Sequence, residues 1–187
     1  MVTDSGVDLA AVIEAIDSAN AEDPRAIERD GTARPLEVVH AERMTFWLSV
    51  LDPQAAPEQL VAARAHHFRR WTRPRTDYPE GRAGYLKWRK EARAAHAAEV
   101  AAILGGFGHQ QAFIDRVGVI MRKEGLGRDA QVQTHEDALC LTFLELQAEA
   151  FLGSRLPDEV ERIVAKTLAK MSDQAKGVAV QRGLLAT

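Results

Sequence analysis

The sequence predicts an all-α fold, a single-domain bundle of about seven helices running from residue 1 to residue 187. Apolar residues recur at intervals of three and four along most of the chain, the period of a helix with one buried face. Alternating strand patterns, internal repeats and low-complexity tracts are absent. A chain of 187 residues with 46% hydrophobic content can bury one substantial core unaided. Only 6% of residues are aromatic, so Ala, Leu, Val and Ile must fill most of that interior.

The first helix carries Leu9, Val12, Ile13 and Ile16, and Asp23-Pro24 closes it. After a polar connection, Pro35 suits the first position of a second helix, where a missing N–H costs nothing. The stripe of that helix is His40, Met44, Trp47, Leu48 and Leu51, and Asp52-Pro53 ends it. Pro57 opens a third, with Leu60, Ala63, His67 and Trp71 on one side. The two prolines and two glycines between Thr72 and Gly84 require a loop. Tyr85, Trp88, Ala92, His96, Val100 and Ile103 mark a fourth helix, stopped by Gly105-Gly106. Phe113, Val117, Ile120 and Met121 mark a fifth that ends near Gly125. The sixth, roughly 132–152, is apolar on most sides through Leu139, Cys140, Leu141, Phe143, Leu144 and Leu146, and so belongs at the centre. Val160, Ile163, Val164, Leu168 and Met171 make the seventh an amphipathic cover. Residues 1–5 and 176–187 are expected to be flexible ends.

Cys140 is the only cysteine, which excludes an internal disulfide and fits a reducing compartment. The opening MVTDSGVDLA lacks the basic flank and apolar run of a signal peptide. No stretch approaches the roughly 20 apolar residues of a membrane span. A cytoplasmic protein with no membrane partner is expected. No feature specifies an oligomeric state.

Charge is distributed unevenly. The whole chain carries −3, yet the segment from Arg64 to Arg93 sets eight Arg and two Lys against Asp77, Glu80 and Glu91, a local +7 that leaves −10 for the remainder. Trp71 and Trp88 lie inside this block. Local positive potential with aromatic flanks suits phosphate or another anion. The same arginines could instead tie the loop to carboxylates elsewhere. Overall acidity, with no helix-turn-helix or zinc-finger signature, argues against nucleic acid. An anionic small molecule or a nucleotide is the expected partner. Gly105 to Gly108 reads as a helix end and turn, not as a phosphate loop. Cys140, inside the apolar run of the sixth helix, reads as a packing residue.

Polar residues stand where apolar ones belong. His40, His67 and His96 fall on core-facing stripes of three helices, and the sixth helix opens with Glu136 and Asp137 at the heads of apolar rows. A carboxylate entering a core is costly unless it is paired or bound to a cation. Inward His and carboxylate side chains from several helices are a known way to hold a metal in a bundle. Imidazole with carboxylate suits zinc, manganese or iron(II). His67, His96 and Asp137 are the expected ligands of one divalent ion, with His40 or His66 as a further ligand. Glu136 is the expected general base or supporting partner. Satisfied core imidazoles are the alternative. Thr134 to Asp137 also reads as a capping box, which would make Asp137 structural; a helix start at Asp129 favours the inward reading. His109 and His135 lie near helix starts and are expected to be exposed.

The order His40, then His66-His67, then Asp137 resembles the pattern of the HD phosphohydrolases, although Phe68 stands after His67 where a His-Asp pair would need its acid. A two-metal centre is therefore not expected. Longer pieces resemble the family known as domain of unknown function 4202. They are AIDSANAEDP at 15–24, ARAHHFRRWTRPRTDYPEGRAGYLKWR at 63–89, HAAEVAAILGGFG at 96–108, RKEGLGRDAQVQTHEDALCLTFLE at 122–145 and KTLAKMS at 166–172. The resemblance covers most of the chain and implies an all-helical, HD-like plan with no activity to carry over. His67, Arg70, Trp71, Pro74, Arg75, Arg82, Tyr85, Trp88, Arg89, His96, Lys123, Glu136 and Asp137 match the family pattern. The pattern has Tyr at the position of His40 and Gln at that of His66, which weakens both as ligands.

Two functions are consistent with these residues. In the first, a metal-dependent phosphohydrolase-like protein uses Arg70, Arg75, Arg82, Arg89 and Lys123 to neutralise a phosphorylated small molecule or nucleotide. In the second, the Arg- and aromatic-rich segment 64–93 recognises an anionic ligand or partner without catalysis.

Overall fold

The computed structural model describes residues 8–29, 31–146 and 157–185. Its helices are α1 (Leu9–Asn20), α2 (Leu36–Leu51), α3 (Pro57–Arg64), α4 (Gly81–Gly106), α5 (Gln111–Arg122), α6 (Ala130–Leu146), α7 (Pro157–Leu168) and α8 (Asp173–Gln181). Between α1 and α2 runs a short antiparallel hairpin of β1 (Ala26–Arg29) and β2 (Thr32–Pro35). Among the described residues the fold is all-α apart from this hairpin.

Local chemistry explains the helix ends. Asp8 caps α1 by accepting from the backbone N–H of Ala10 and Ala11. Asp129 does the same for α6 through Gln131 and Val132, and the Arg116 guanidinium holds the capping carboxylate from α5. The sixth helix therefore starts early, and Asp137 is no cap. Pro57 occupies the first turn of α3, where its missing N–H is harmless.

The core has two parts. Val12 and Ile16 of α1 meet Val100 and Leu104 of α4 and Val117 and Ile120 of α5. Met44, Trp47 and Leu48 of α2 meet Leu141 of α6, Met171 and Ala175. Glu145 ties the second part to the hairpin, accepting from Trp47 Nε1, Arg43 Nε and Arg29 Nη2 at 2.7, 2.7 and 2.8 Å.

Four expectations need correction. The hairpin was not foreseen; Asp30-Gly31 is its sequence mark, and Gly31 takes φ +73° at the turn. The third helix ends at Arg64, so His67 and Trp71 lie beyond it. The fourth begins at Gly81 rather than Tyr85. Residues 173–181 form α8, which buries Ala175 and Ala179, where a flexible end was expected from 176. The expected stretch of the sixth helix beyond 146, the flexible end 1–5 and the side chain of Val160 lie outside the described residues.

Candidate metal and anion site

Five of the six histidines meet in one place: His40 from α2, His66 and His67 from the turn after α3, His96 from α4 and His135 from α6. Ring centroids are 4.2 Å apart for His40 and His67, 4.5 Å for His66 and His67, and 4.8 Å for His66 and His135. His96 is more distant, 6.4 Å from His67. Termination of α3 creates this meeting. Beyond it Arg69 takes a left-handed φ of +48°, and its backbone N–H donates to the buried Asn20 side chain at 3.0 Å. Leaving the helix lets two adjacent histidines both reach the interior.

Glu37 completes the group. It sits in the first turn of α2, where the hairpin returns the chain so that Leu36 N–H donates to the Arg25 carbonyl at 2.9 Å. The Arg25 guanidinium then donates to Glu37 Oε1 at 2.6 Å and to Asp23. Glu37 Oε2 is left buried with no hydrogen bond, 3.4 Å from His67 Nδ1. Among the described residues, Glu37, His40 and His67 are the group able to share an ion, with ligand atoms all within 4.8 Å of one another. Tetrahedral zinc ligands at about 2.1 Å from the ion lie roughly 3.4 Å apart. One pair already has that spacing, at 3.4 Å, and since all lie within 4.8 Å no pair need draw in by more than about 1.4 Å.

Protonation states favour such a role. Burial, reinforced by the Arg70, Lys123 and Arg25 charges, pushes the His40 pKa down to about 3. Burial likewise holds His66 and His67 well below the usual imidazole range. All three rings are neutral at pH 7, so a nitrogen that carries neither the proton nor a hydrogen bond can meet a cation. Burial raises Glu37 to about 7 against the pull of Arg25. A cation beside it would restore its charge.

The cluster floors a cavity of about 530 Å³. Six cations line this cavity: Arg70, Arg89 and Arg93 from the basic segment, Lys123 from the end of α5, and Lys166 and Lys170 from α7 and the turn after it. Leu139, Phe143, Ile163 and Tyr85 supply an apolar side, and no carboxylate among the described residues joins the lining. The Arg70 guanidinium lies 4.5 Å from the Trp88 ring centroid, and Trp88 Nε1 donates to the Arg73 carbonyl at 2.9 Å. Burial and the neighbouring Arg89 charge lower the pKa of both Arg70 and Arg93, as expected for cations crowded together.

The structure divides the expected residues. His40, His66, His67, Arg70, Arg89 and Lys123 reach the cavity. His96 is buried behind them, pushed to about 3 by burial, its ring near the His66 backbone without a well-formed hydrogen bond. Asp137 points elsewhere: its Oδ1 accepts from Gln133 Nε2 and from the Ser172 N–H, both at 2.9 Å, fastening α6 to the start of α8. Glu136 is the buried counter-ion of Lys123 and of Lys170, not a base facing the cavity. Burial alone would raise its pKa, but these lysines outweigh it and hold the carboxyl low. Arg75 donates to the carbonyls of Tyr78 and Pro79, both at 2.8 Å, and so clips the loop. Arg82 is exposed at the start of α4, away from the lining. His135, expected at the surface, is 1% exposed because the earlier start of α6 puts it one turn inside. His109 is buried as well, stacked on Phe113 at 4.4 Å. Cys140 lines the cavity with its thiol pushed up to about 12 by burial, so it is no nucleophile.

Sequence reasoning missed Glu37, Lys166 and Lys170 and placed Arg93 only within the basic segment, not among the named anion-binding residues. The two lysines lie in the KTLAKMS piece at 166–172 that the resemblance had already marked. No helix among the described residues is long and apolar enough to cross a membrane. Compared with known proteins, the chain matches the family described as domain of unknown function (DUF4202) over residues 10–186. No curated protein and no solved structure matches it.

Proposed function

Because the chain belongs to the DUF4202 family, whose description assigns no chemistry, we propose a function from the site itself: a metal-dependent phosphohydrolase-like protein acting on a phosphorylated small molecule or nucleotide. The observation that carries this reading is the meeting of two neutral histidines that line the cavity with an orphaned carboxylate oxygen buried behind them, where the described lining offers six cations and no acid. Glu37, His40 and His67 would hold one zinc, manganese or iron(II), which would supply a water acidified to near neutrality. The net reaction adds water across the P–O ester bond, the hydroxyl going to phosphorus and the other proton to the departing oxygen.

The six cations hold the phosphate. Their number exceeds what one phosphate dianion neutralises even after Glu136 offsets one of them, which favours a ligand with two or more phosphate groups. The apolar side suits a base or another weakly polar moiety. The order of the histidines follows that of the HD phosphohydrolases, with Glu37 taking the place of a later acid. A non-catalytic anion-binding protein is the second reading, and the engagement of Glu136 by two lysines favours it.

The test is elemental analysis of untagged protein, followed by phosphate-release assays on nucleotides. Near-stoichiometric metal is expected. His67→Ala and Glu37→Gln should each weaken metal binding by more than the roughly 10–100-fold that loss of an outer partner costs. Asp137→Ala should keep the metal. Metal-free protein whose melting temperature ignores added zinc, manganese and iron(II) would leave the binding protein as the function.

A further inference from the structure

His66 and His67 are adjacent in sequence, and both line the cavity, yet hydrogen-bond logic gives them different chemistry. His66 Nδ1 lies 2.8 Å from His135 Nε2, so one of the two carries the proton between them. The other nitrogen of His135, Nδ1, is buried with no hydrogen-bond partner. A buried N–H without an acceptor is the rarer and costlier fault, so that nitrogen is bare. An imidazole must carry a proton on one nitrogen at least, which puts His135's on Nε2. His135 Nε2–H therefore donates to His66 Nδ1, and His66 in turn must be protonated on Nε2.

We propose that His66 presents a fixed, neutral Nε2–H to the cavity as the donor to a phosphoryl oxygen of the bound ligand, with His135 as its positioning residue. The inference rests on reading the cavity as a phosphate site. It removes His66 from the metal set, because a ligating nitrogen must be bare, and here one nitrogen is engaged and the other protonated. A neutral donor also suits its neighbours. Six cations already attract any anion, and a seventh would add repulsion in the empty state, whereas an imidazole N–H fixes where an oxygen sits at no such cost. Being a weak acid in this form, it stabilises charge on that oxygen without giving up its proton.

Nitrogen-15 spectra of the labelled, full-length, metal-free protein read the tautomers from two-bond couplings to the ring protons. Both His66 and His135 should show the Nε2-protonated pattern, and pyrophosphate should shift His66 Nε2. Replacing His135 by Phe should mix the His66 tautomers and weaken pyrophosphate binding by up to about tenfold, the scale of one neutral hydrogen bond. His135→Gln, which keeps an N–H donor, should restore part of both. His66 found protonated on Nδ1 in the native protein overturns the inference whether or not any variant folds. Pyrophosphate binding equally well to native protein and to a folded His66→Phe variant overturns the donor role alone. If pyrophosphate fails to bind native protein at all, the phosphate reading of the cavity falls, and the donor role with it.

Discussion

Lys123 ends α5 with φ +61°, a left-handed conformation that helix ends usually give to glycine. A side chain there costs about 1–2 kcal/mol, so something in the fold must favour lysine. The compensation is the buried ion pair with Glu136, whose second oxygen is 3.5 Å from Lys170 Nζ. Removing one member of such a pair strands the other charge in the interior. Lys123→Met should therefore destabilise the protein by about 3–5 kcal/mol, even though Met fills similar space. The double change Lys123→Met with Glu136→Gln should recover most of that loss, because the stranded charge is gone. Urea unfolding of both variants measures the difference. A single variant within about 1 kcal/mol of the parent would show that Lys170 alone satisfies Glu136. Glu37 is the opposite case among the buried acids, since one of its oxygens has no donor, and that difference separates a structural carboxylate from a candidate ligand.

The start of α4 illustrates how an element places the site. Gly84 lies inside the first helical turns, where Gly→Ala ordinarily gains about 1 kcal/mol. Here a Cβ would fall 1.9 Å from the Pro79 carbonyl oxygen, and Arg75 holds that same carbonyl at 2.8 Å. The sign reverses: Gly84→Ala should destabilise by about 1–3 kcal/mol in thermal or urea unfolding. It should also weaken anion binding, because Trp88, one turn on, holds the Arg73 carbonyl and packs beside Arg70. Stabilisation by Ala would mean that the loop yields easily. Such close approaches explain what the sequence could and could not reveal. Stripes such as Met44, Trp47 and Leu48 identify helices because burial repeats with the helical period, and they put His40 inward correctly. The hairpin escaped because its four-residue strands lack apolar alternation, leaving Asp30-Gly31 as the lone signal. Nothing in the sequence singled out Glu37, an acid in a first helical turn; its partner there is Arg25, 12 residues back across that hairpin. Asp137 follows Glu136 by one residue, about 100° around the helix, which is enough to face Ser172 while Glu136 meets Lys123. Lys166 and Lys170 sit on the exposed side of an amphipathic helix and the turn beyond it, and only the packing of α7 over the cavity gives them a role.

At the scale of the whole molecule, gathering the histidines makes stability depend on acid. His40, His96 and His135 are held near 3 by burial, against an unfolded value of about 6.5. Between those values the unfolded chain binds more protons than the folded one, so falling pH draws the equilibrium towards unfolding. The stability these groups supply is complete above about pH 6.5 and is lost as pH drops towards 3. At pH 5 each contributes a loss of about 2 kcal/mol, or about 6 kcal/mol for the three. Glu37 acts in the other direction. Its folded pKa, about 7, stands above the unfolded carboxylate, so protonating it on going from pH 7 to 5 returns about 2 kcal/mol. That offset saturates below pH 4.5, where the histidine losses continue to grow. With His66 and His67, also held low, adding to the loss, the net from pH 7 to 5 is at least about 4 kcal/mol, a large share of the 5–15 kcal/mol that holds a domain together. Chelator-treated protein should therefore unfold between about pH 5 and pH 4 at 25 °C, with steep proton uptake. His96→Leu, which removes one titrating imidazole from an apolar setting, should shift that transition to lower pH by flattening the slope. Urea unfolding free energies that agree within error at pH 7.5 and pH 5 would mean that the rings gain protons without leaving the fold, and that water reaches the cluster.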